Sequence, residues 1–245
     1  MRHAILLGLL LAGCNFSLGS SSSGEQHQVT FSYGECFFGC AVDQPMMVGT
    51  SERIDVKGAS IPAVSVHSSS TSVVAVADTS RTCCAPNGSC RTLAASDACA
   101  TDETPSLSLT VNALGEGAAE LDLVGADGAT FDSVTLTVAR PAALALTCDT
   151  KPPPILLASG GSCAVGWTAT GADGKPLMAS AGVTLKSSDA KVFELQALAG
   201  PLLTEVESQQ GFLAQTQVVA TGSGDATLTA TAGAVAATTT VHVGP

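Results

Sequence analysis

Apolar and polar residues alternate with a period of two along much of this 245-residue chain, and no long stretch places apolar residues at helical spacing. Residues 134–138 (VTLTV) set Val134, Leu136 and Val138 against Thr135 and Thr137. Residues 226–232 (ATLTATA) set Ala226, Leu228, Ala230 and Ala232 against Thr227, Thr229 and Thr231. Residues 163–170 set Cys163, Val165, Trp167 and Ala169 against Ala164, Gly166, Thr168 and Thr170. Successive side chains of a strand point to opposite faces, so this pattern predicts half-buried antiparallel strands. Asp127-Gly128 and Asp173-Gly174, each inside GADG, supply tight-turn chemistry between strands. The predicted fold class is all-β.

The pattern occurs twice. Val64 to Val76 (VSVHSSSTSVVAV) aligns without gaps to Val183 to Leu195 (VTLKSSDAKVFEL). Val111 to Leu123 aligns to Val218 to Ala230, and both hold G-x-G-x-A-x-L, at Gly115–Leu121 and Gly222–Leu228. Each copy closes on an alternating strand, ending at Val138 and Val243. Two domains follow, residues 29–139 and 142–245, split near Ala139-Arg140-Pro141, each of a size that suits an immunoglobulin-type sandwich. The order "strand, S-S-x-x-x-V, variable stretch, G-x-G-x-A-x-L, closing strand" resembles bacterial immunoglobulin-like domains of the group 2 type. That resemblance covers residues 142–245 best; the first copy is interrupted by an insertion at 79–104. It implies two immunoglobulin-like antiparallel β-sandwiches in tandem, serving as stalk, spacer or adhesive modules, with no catalytic site to carry over.

The N-terminus changes the picture. Met1-Arg2-His3 precedes the apolar run Ala4 to Leu11 (AILLGLLL), which is too short to span a bilayer and suits the core of a signal peptide. It ends in Leu11-Ala12-Gly13-Cys14, which resembles the bacterial lipobox. The resemblance implies removal of residues 1–13 and attachment of a diacylglyceryl group to the Cys14 thiol, hence a membrane partner through that lipid anchor. A single acyl chain holds only marginally and several hold stably, so the tether is expected to be permanent. Residues 14–28, with the Ser- and Gly-rich NFSLGSSSSG at 15–24, read as a flexible spacer. Asn15 is not the Asp associated with inner-membrane retention, which by family analogy favours the outer membrane.

Charge and chemistry narrow the classes. Without Arg2 the chain keeps nine basic against twenty-one acidic residues, which excludes nucleic acid as a partner. Eight cysteines besides Cys14 form an even set in an exported chain and predict disulfides. A zinc site is disfavoured, because Cys83-Cys84 cannot readily place adjacent thiols on one ion and no histidine accompanies any cysteine pair. No cofactor is expected, since the chain lacks a Walker loop, H-E-x-x-H and G-x-S-x-G. His67 and His242 alternate outward with no buried acid behind them, so an enzyme is not expected. A sugar site would need an exposed aromatic, and only Tyr33, beside Phe31, Phe37 and Phe38, is a candidate; Trp167 shares a face with Cys163 and Val165 and reads as core. The alternative is a ligand-binding module, lectin-like or calcium-dependent, using the loops of the first domain, where Asp97, Asp102 and Glu103 offer oxygen ligands without EF-hand spacing.

The 79–104 insertion, with four cysteines and Pro86-Asn87-Gly88, is the segment expected to carry specificity for a protein partner. Cys148 and Cys163 are alone in the second domain and should bond each other. In an extended segment Cys83 and Cys84 point to opposite sides and should reach two different partners. Cys90 and Cys99 are expected to close their short loop, leaving Cys36 and Cys40 for Cys83 and Cys84 in an open order.

Overall fold

A computed structural model of the chain describes residues 21–34, 40–149, 151–179, 182–197 and 216–245. Among these residues there is no helix, and the strands form four sheets stacked as two sandwiches. The first sandwich holds β1 (Ser22–Ser23), β2 (Thr30–Tyr33), β3 (Cys40–Ala41), β4 (Met46–Met47), β5 (Ser51–Lys57), β6 (Val64–Ser68), β7 (Val74–Cys84), β8 (Cys90–Ala94), β9 (Thr104–Ala113), β10 (Gly117–Gly125) and β11 (Thr130–Ala139). The second holds β12 (Ala143–Cys148), β13 (Ile155–Leu157), β14 (Ser162–Thr170), β15 (Thr184–Ser187), β16 (Phe193–Ala197), β17 (Thr216–Ala220), β18 (Gly224–Ala232) and β19 (Val235–Val243).

In the first sandwich β2-β5-β9-β7 face β4-β11-β10-β6; in the second β12-β14-β17-β16 face β13-β19-β18-β15. Lettered in chain order, both give the A-B-E-D and A′-G-F-C arrangement of an immunoglobulin-type sandwich. In each, the short A′ strand runs parallel to the last strand, β4 beside β11 and β13 beside β19. The alternating positions merge inside. Phe31, Ile54 and Leu109 of one sheet meet Leu121 and Leu136 of the other with no exposed surface, as do Val165, Phe193 and Val218 with Leu228 and Val241. Each such side chain contributes about 1.5–3 kcal/mol relative to exposure.

The repeated motif is a latch between the turn after strand C and the turn before strand F. Ser68 Oγ donates to the Val74 carbonyl (2.6 Å), and Ser187 Oγ to that of Phe193 (3.0 Å). The next serine accepts from across the sheet, Ser69 from Glu120 N–H (2.9 Å) and Ser188 from Thr227 N–H (2.8 Å). Leu114 and Gly115 donate to the Val73 carbonyl, and Thr221 and Gly222 to that of Val192. A Cβ on Gly115 would lie 2.8 Å from the Ser72 carbonyl oxygen, and one on Gly222 2.4 Å from that of Lys191. The second glycine of each pair holds a φ of 134° (Gly117) or 128° (Gly224), a region that residues with a Cβ avoid.

The two sandwiches are sewn together. Residues 176–179 hydrogen-bond to β14 on one side, Leu177 N–H to the Ala169 carbonyl, and to the first sandwich on the other. There Met47 N–H donates to the Met178 carbonyl (2.8 Å) and Met178 N–H to that of Pro45 (2.7 Å). Met178 packs into the first core, while Met47 joins Ala169, Leu177, Ala179 and Ala232 in a cluster of its own.

The N-terminal spacer was expected to run to residue 28, but the described part of it is held. Ser22 and Ser23 pair with Phe31 and Thr30 as an edge strand. The fully buried Asp132 carboxylate accepts the N–H groups of Gln26, Gln28 and Val29 at 2.9 Å each, and that of Ser133 at 2.8 Å. A Cβ on Gly24 would land 2.2 Å from Asp132 Oδ1, so only glycine fits against this clasp. Ser-rich composition conceals such a segment because its hold comes from a carboxylate a hundred residues away. Cys14 and the signal peptide lie outside the described residues.

Candidate interaction surface

The predicted insertion is not a separate loop. Strand β7 continues through it to Cys84, paired with β9 from Val74↔Ala113 to Cys84↔Thr104 across a bulge between Val76 and Asp78. It then turns into β8, which pairs back from Cys84↔Cys90 to Ser80↔Ala94. The turn is local chemistry: Ala85 N–H donates to the Ser89 carbonyl, Gly88 sits at φ 82°, and Asn87 Oδ1 accepts from Ser89 N–H (2.9 Å) and Oγ (2.7 Å). The specificity candidate is therefore a hairpin that lengthens the A-B-E-D sheet at its D edge.

Two disulfides staple it, with a pairing that differs from expectation. Cys84 bonds Cys90 directly across the hairpin, and Cys83 bonds Cys99 in the returning segment. Neither Cys83 nor Cys84 goes to Cys36 or Cys40, and Cys90 is not joined to Cys99. Alternation explains this: Cys83 is buried on the inward face and Cys84 lies on the other, so the two bonds occupy opposite faces. Cys40 is also disulfide-bonded. The other described cysteines bond one another, so its partner, like Cys36, lies outside the described residues. In the second sandwich Cys148 bonds Cys163, tying strand A to strand B within one sheet.

Charged groups lock the hairpin from both sides. Arg91 on β8 forms a double hydrogen bond with Glu103 (2.9 and 2.8 Å), and Glu103 also accepts from Ala100 N–H (2.8 Å). The Arg91 hydrogen bond, then the Ala100 N–H, hold the Glu103 carboxyl at about 2 against an ordinary 4.5. Arg81, only 3 % exposed, donates to the carbonyls of Ile61 and Asp97, and burial lowers its pKa. Its Nε has no hydrogen-bond partner. Burying a guanidinium on carbonyls alone is costly, so this residue fixes the return loop against the base of the sandwich. Sequence reasoning missed it, although an Arg in phase with inward-facing Cys83 was the available signal.

The outer face of the same sheet is polar. Arg53, Asp55 and Lys57 of β5 stand beside Ser106 and Ser108 of β9 and Ser80 and Thr82 of β7, around a shallow groove of about 290 Å³. Arg53 is paired with Asp55 (2.9 Å), which also accepts from Ser108 Oγ (3.2 Å).

The alternative chemistries find little to build on. Among the described residues Asp97, Asp102 and Glu103 do not converge as ligands. The one group of described residues within metal-binding distance is Cys83, Cys99 and Glu103, and its sulfurs are spent on a disulfide. Tyr33 is no platform for a sugar: it is fully buried, donates to the Gln44 carbonyl (2.9 Å), and burial, then Glu52 and Asp43, raise its pKa. Phe31 is buried beside it, and Phe37 and Phe38 lie outside the described residues. Trp167 packs on the second core and donates to the Ala179 carbonyl (3.0 Å). His67 meets Ser65 Oγ (3.0 Å), and His242 meets the exposed Asp225.

No family model and no curated protein matches this chain. Similar solved structures include domains 5–6 of the S-layer protein SbsC, at 17 % identity and TM-score 0.30, covering 82 % of this chain and 92 % of that one. The Escherichia coli adhesin FdeC is 16 % identical with a TM-score of 0.35, covering 92 % and 66 %. Invasin, a bacterial integrin-binding protein, is 14 % identical with a TM-score of 0.33, covering 93 % and 41 %. Likeness at this level carries nothing over to this chain.

Proposed function

We propose that this chain is a lipid-anchored protein of the cell envelope, cleaved before Cys14 and held in the outer membrane by acyl chains on that cysteine. Its two sandwiches act as a structural, adhesion-type protein-binding module without catalysis. The observation that supports the binding role most is the stapled hairpin. It is the main addition to the first copy of a repeated scaffold, it is exposed from Pro86 to Thr92, and disulfides fix both its faces. A rigid exposed element presents a surface without the ordering cost that a free loop incurs on binding.

Two measurements test this. Metabolic labelling with a fatty-acid probe should mark the wild-type chain in the outer-membrane fraction. Cys14→Ser should leave an unlabelled, uncleaved precursor, and its recovery in membranes at mature size would overturn the anchoring. For the binding role, cross-linking on intact cells should capture a protein partner with the wild type. Replacement of Pro86–Ser89 by a two-residue turn, keeping Cys84 and Cys90, should reduce that capture. Equal capture by both would remove the hairpin from the binding surface.

A further inference from the structure

The tether, the clasp and the hairpin all belong to one end of the first sandwich. Strand β5 runs from Ser51, beside the junction with the second sandwich, to Lys57 at the opposite, free pole. Lys57 pairs with Thr30 of β2 and Ser106 of β9, and β7 passes beyond that row to Cys84. The Asp132 clasp, the Ile61 loop that Arg81 holds, and the 125–129 turn lie at the same pole.

The chain leaves the sheet there as well. β1 lies beside Thr30 and Phe31 only, because β3 takes the place beside Ser32 and Tyr33. The backbone before Ser22 must therefore depart from the sheet edge close to the clasp. From Cys14 to Ser22 is eight peptide steps, which span at most about 28 Å. The far end of the second sandwich, where β14 begins at Ser162, is two strand lengths from this pole, about 50 Å for the seven residues of β5 and the nine of β14 at 3.3 Å per residue. A tether that ends at Ser22 can bring the free pole to the bilayer but cannot bring the far end there unless the body lies flat.

The pole suits a lipid surface that is not strongly anionic. Between Gln26, Gln28, Pro62, Ala63, Ala126 and Phe131 lies an open, largely apolar groove of about 650 Å³. The hairpin segment 83–93 carries no acid in a chain of net charge −11, and its one cation, Arg91, is neutralised by Glu103. Exposed acids stand on the rim: Glu25, Asp97, Asp102 and Asp127.

We propose that the free pole of the first sandwich sits on the lipid surface that carries the anchor, with the stapled hairpin as its foot and the Asp132 clasp ending the tether there. The proposal rests on the lipid-anchoring reading. It places the second sandwich outermost, and the protein partner that the hairpin takes under the binding reading is then one embedded in the same membrane.

The full lipidated chain, reconstituted in phosphatidylethanolamine vesicles doped with a headgroup-diazirine lipid, provides the test. Photo-crosslinks should concentrate several-fold in peptides covering 22–34, 58–63, 84–94 and 125–131 over those covering 155–170 and 221–232. Even labelling, or labelling led by the second sandwich, overturns the orientation. Gly24→Val, which forces a side chain onto Asp132 while leaving the core residue in place, should free the segment up to Thr30 and flatten the pattern. An unchanged pattern removes the clasp from the mechanism. Adding phosphatidylglycerol should lower the pole's yield, and a rise overturns the lipid preference. Mass spectrometry of the same chain is the separate control: if Cys14 carries no acyl chains, the anchoring reading fails whatever the crosslinks show.

Discussion

The two sandwiches share a topology and a latch, but the disulfides formed between their described cysteines lie at opposite ends of the molecule. The first carries Cys83–Cys99 and Cys84–Cys90 around its free pole, and the second carries Cys148–Cys163 near its own far end. Where they meet, among the described residues, there is no disulfide. The junction is held by the 176–179 segment, by hydrogen bonds at 2.7–2.8 Å and by buried Met46, Met47 and Met178. An end with no neighbour leaves a small sandwich with little surface to bury, which is where cross-links add most. An end that packs on another domain gains burial instead.

The largest expected effect tests the uncross-linked side of this contrast. Met178 has no exposed surface, and its side chain fills the first core while its backbone bonds the first sandwich from a segment that folds back antiparallel on β14. Met178→Ala should cost about 2–5 kcal/mol, as large-to-small core changes do. Calorimetry should show it splitting one unfolding transition into two. A single transition would mean that the halves are coupled by other contacts.

The cross-linked side comes next. Replacing Cys148 and Cys163 together by Ala opens a separation of 15 residues and should cost about 3 kcal/mol in the chain-entropy model. Replacing Cys84 and Cys90 opens only six and should cost about 2 kcal/mol by the same relation. Native-state hydrogen exchange should confine each loss to its own sandwich. The shared latch gives a finer comparison. Gly222→Ala and Gly115→Ala should each cost about 1–3 kcal/mol. The first should cost more, because its Cβ would meet a carbonyl oxygen at 2.4 Å rather than 2.8 Å. Equal melting shifts would mean that the Lys191 turn gives way more easily than the Ser72 turn.

What was legible in the sequence follows the same division. The latch could be read because serines, glycines and valines recur at fixed spacing, and that spacing is set by hydrogen bonds within each copy. The pairing of Cys84 with Cys90 was within reach: Ala85 to Ser89 is a turn, and cysteines on either side of a hairpin turn face each other. Treating 79–104 as a loop hid this, since β7 runs straight through its first residues. Asp132 shares the inward phase of Val134, Leu136 and Val138, and an acid in that phase was the one sign of the clasp. Residues 176–179 gave no sign, because their partners are set by how two domains meet and no local period records that.

The smallest effect concerns the hairpin's ion pair and sharpens what the disulfides leave undone. Glu103 sits at about 2 in the folded chain, below its ordinary 4.5, first through the Arg91 hydrogen bond and then through Ala100 N–H. A depressed carboxyl contributes stability that is fully present above its unfolded value and is lost as pH falls through the folded one. The hairpin should therefore loosen between about pH 4.5 and pH 2, while the second sandwich, which lacks this pair, should not share that change. Arg91 is half exposed, so solvent and salt screen the pair and the change should be modest. Hydrogen-exchange protection across residues 90–94, taken relative to the intrinsic amide rate at each pH, should fall with acid at low salt and fall less in high salt. Arg91→Gln should show the lowered protection already at neutral pH, with a weaker dependence on acid. If the variant titrates like the wild type, the backbone bond from Ala100, and not the arginine, holds Glu103 ionised.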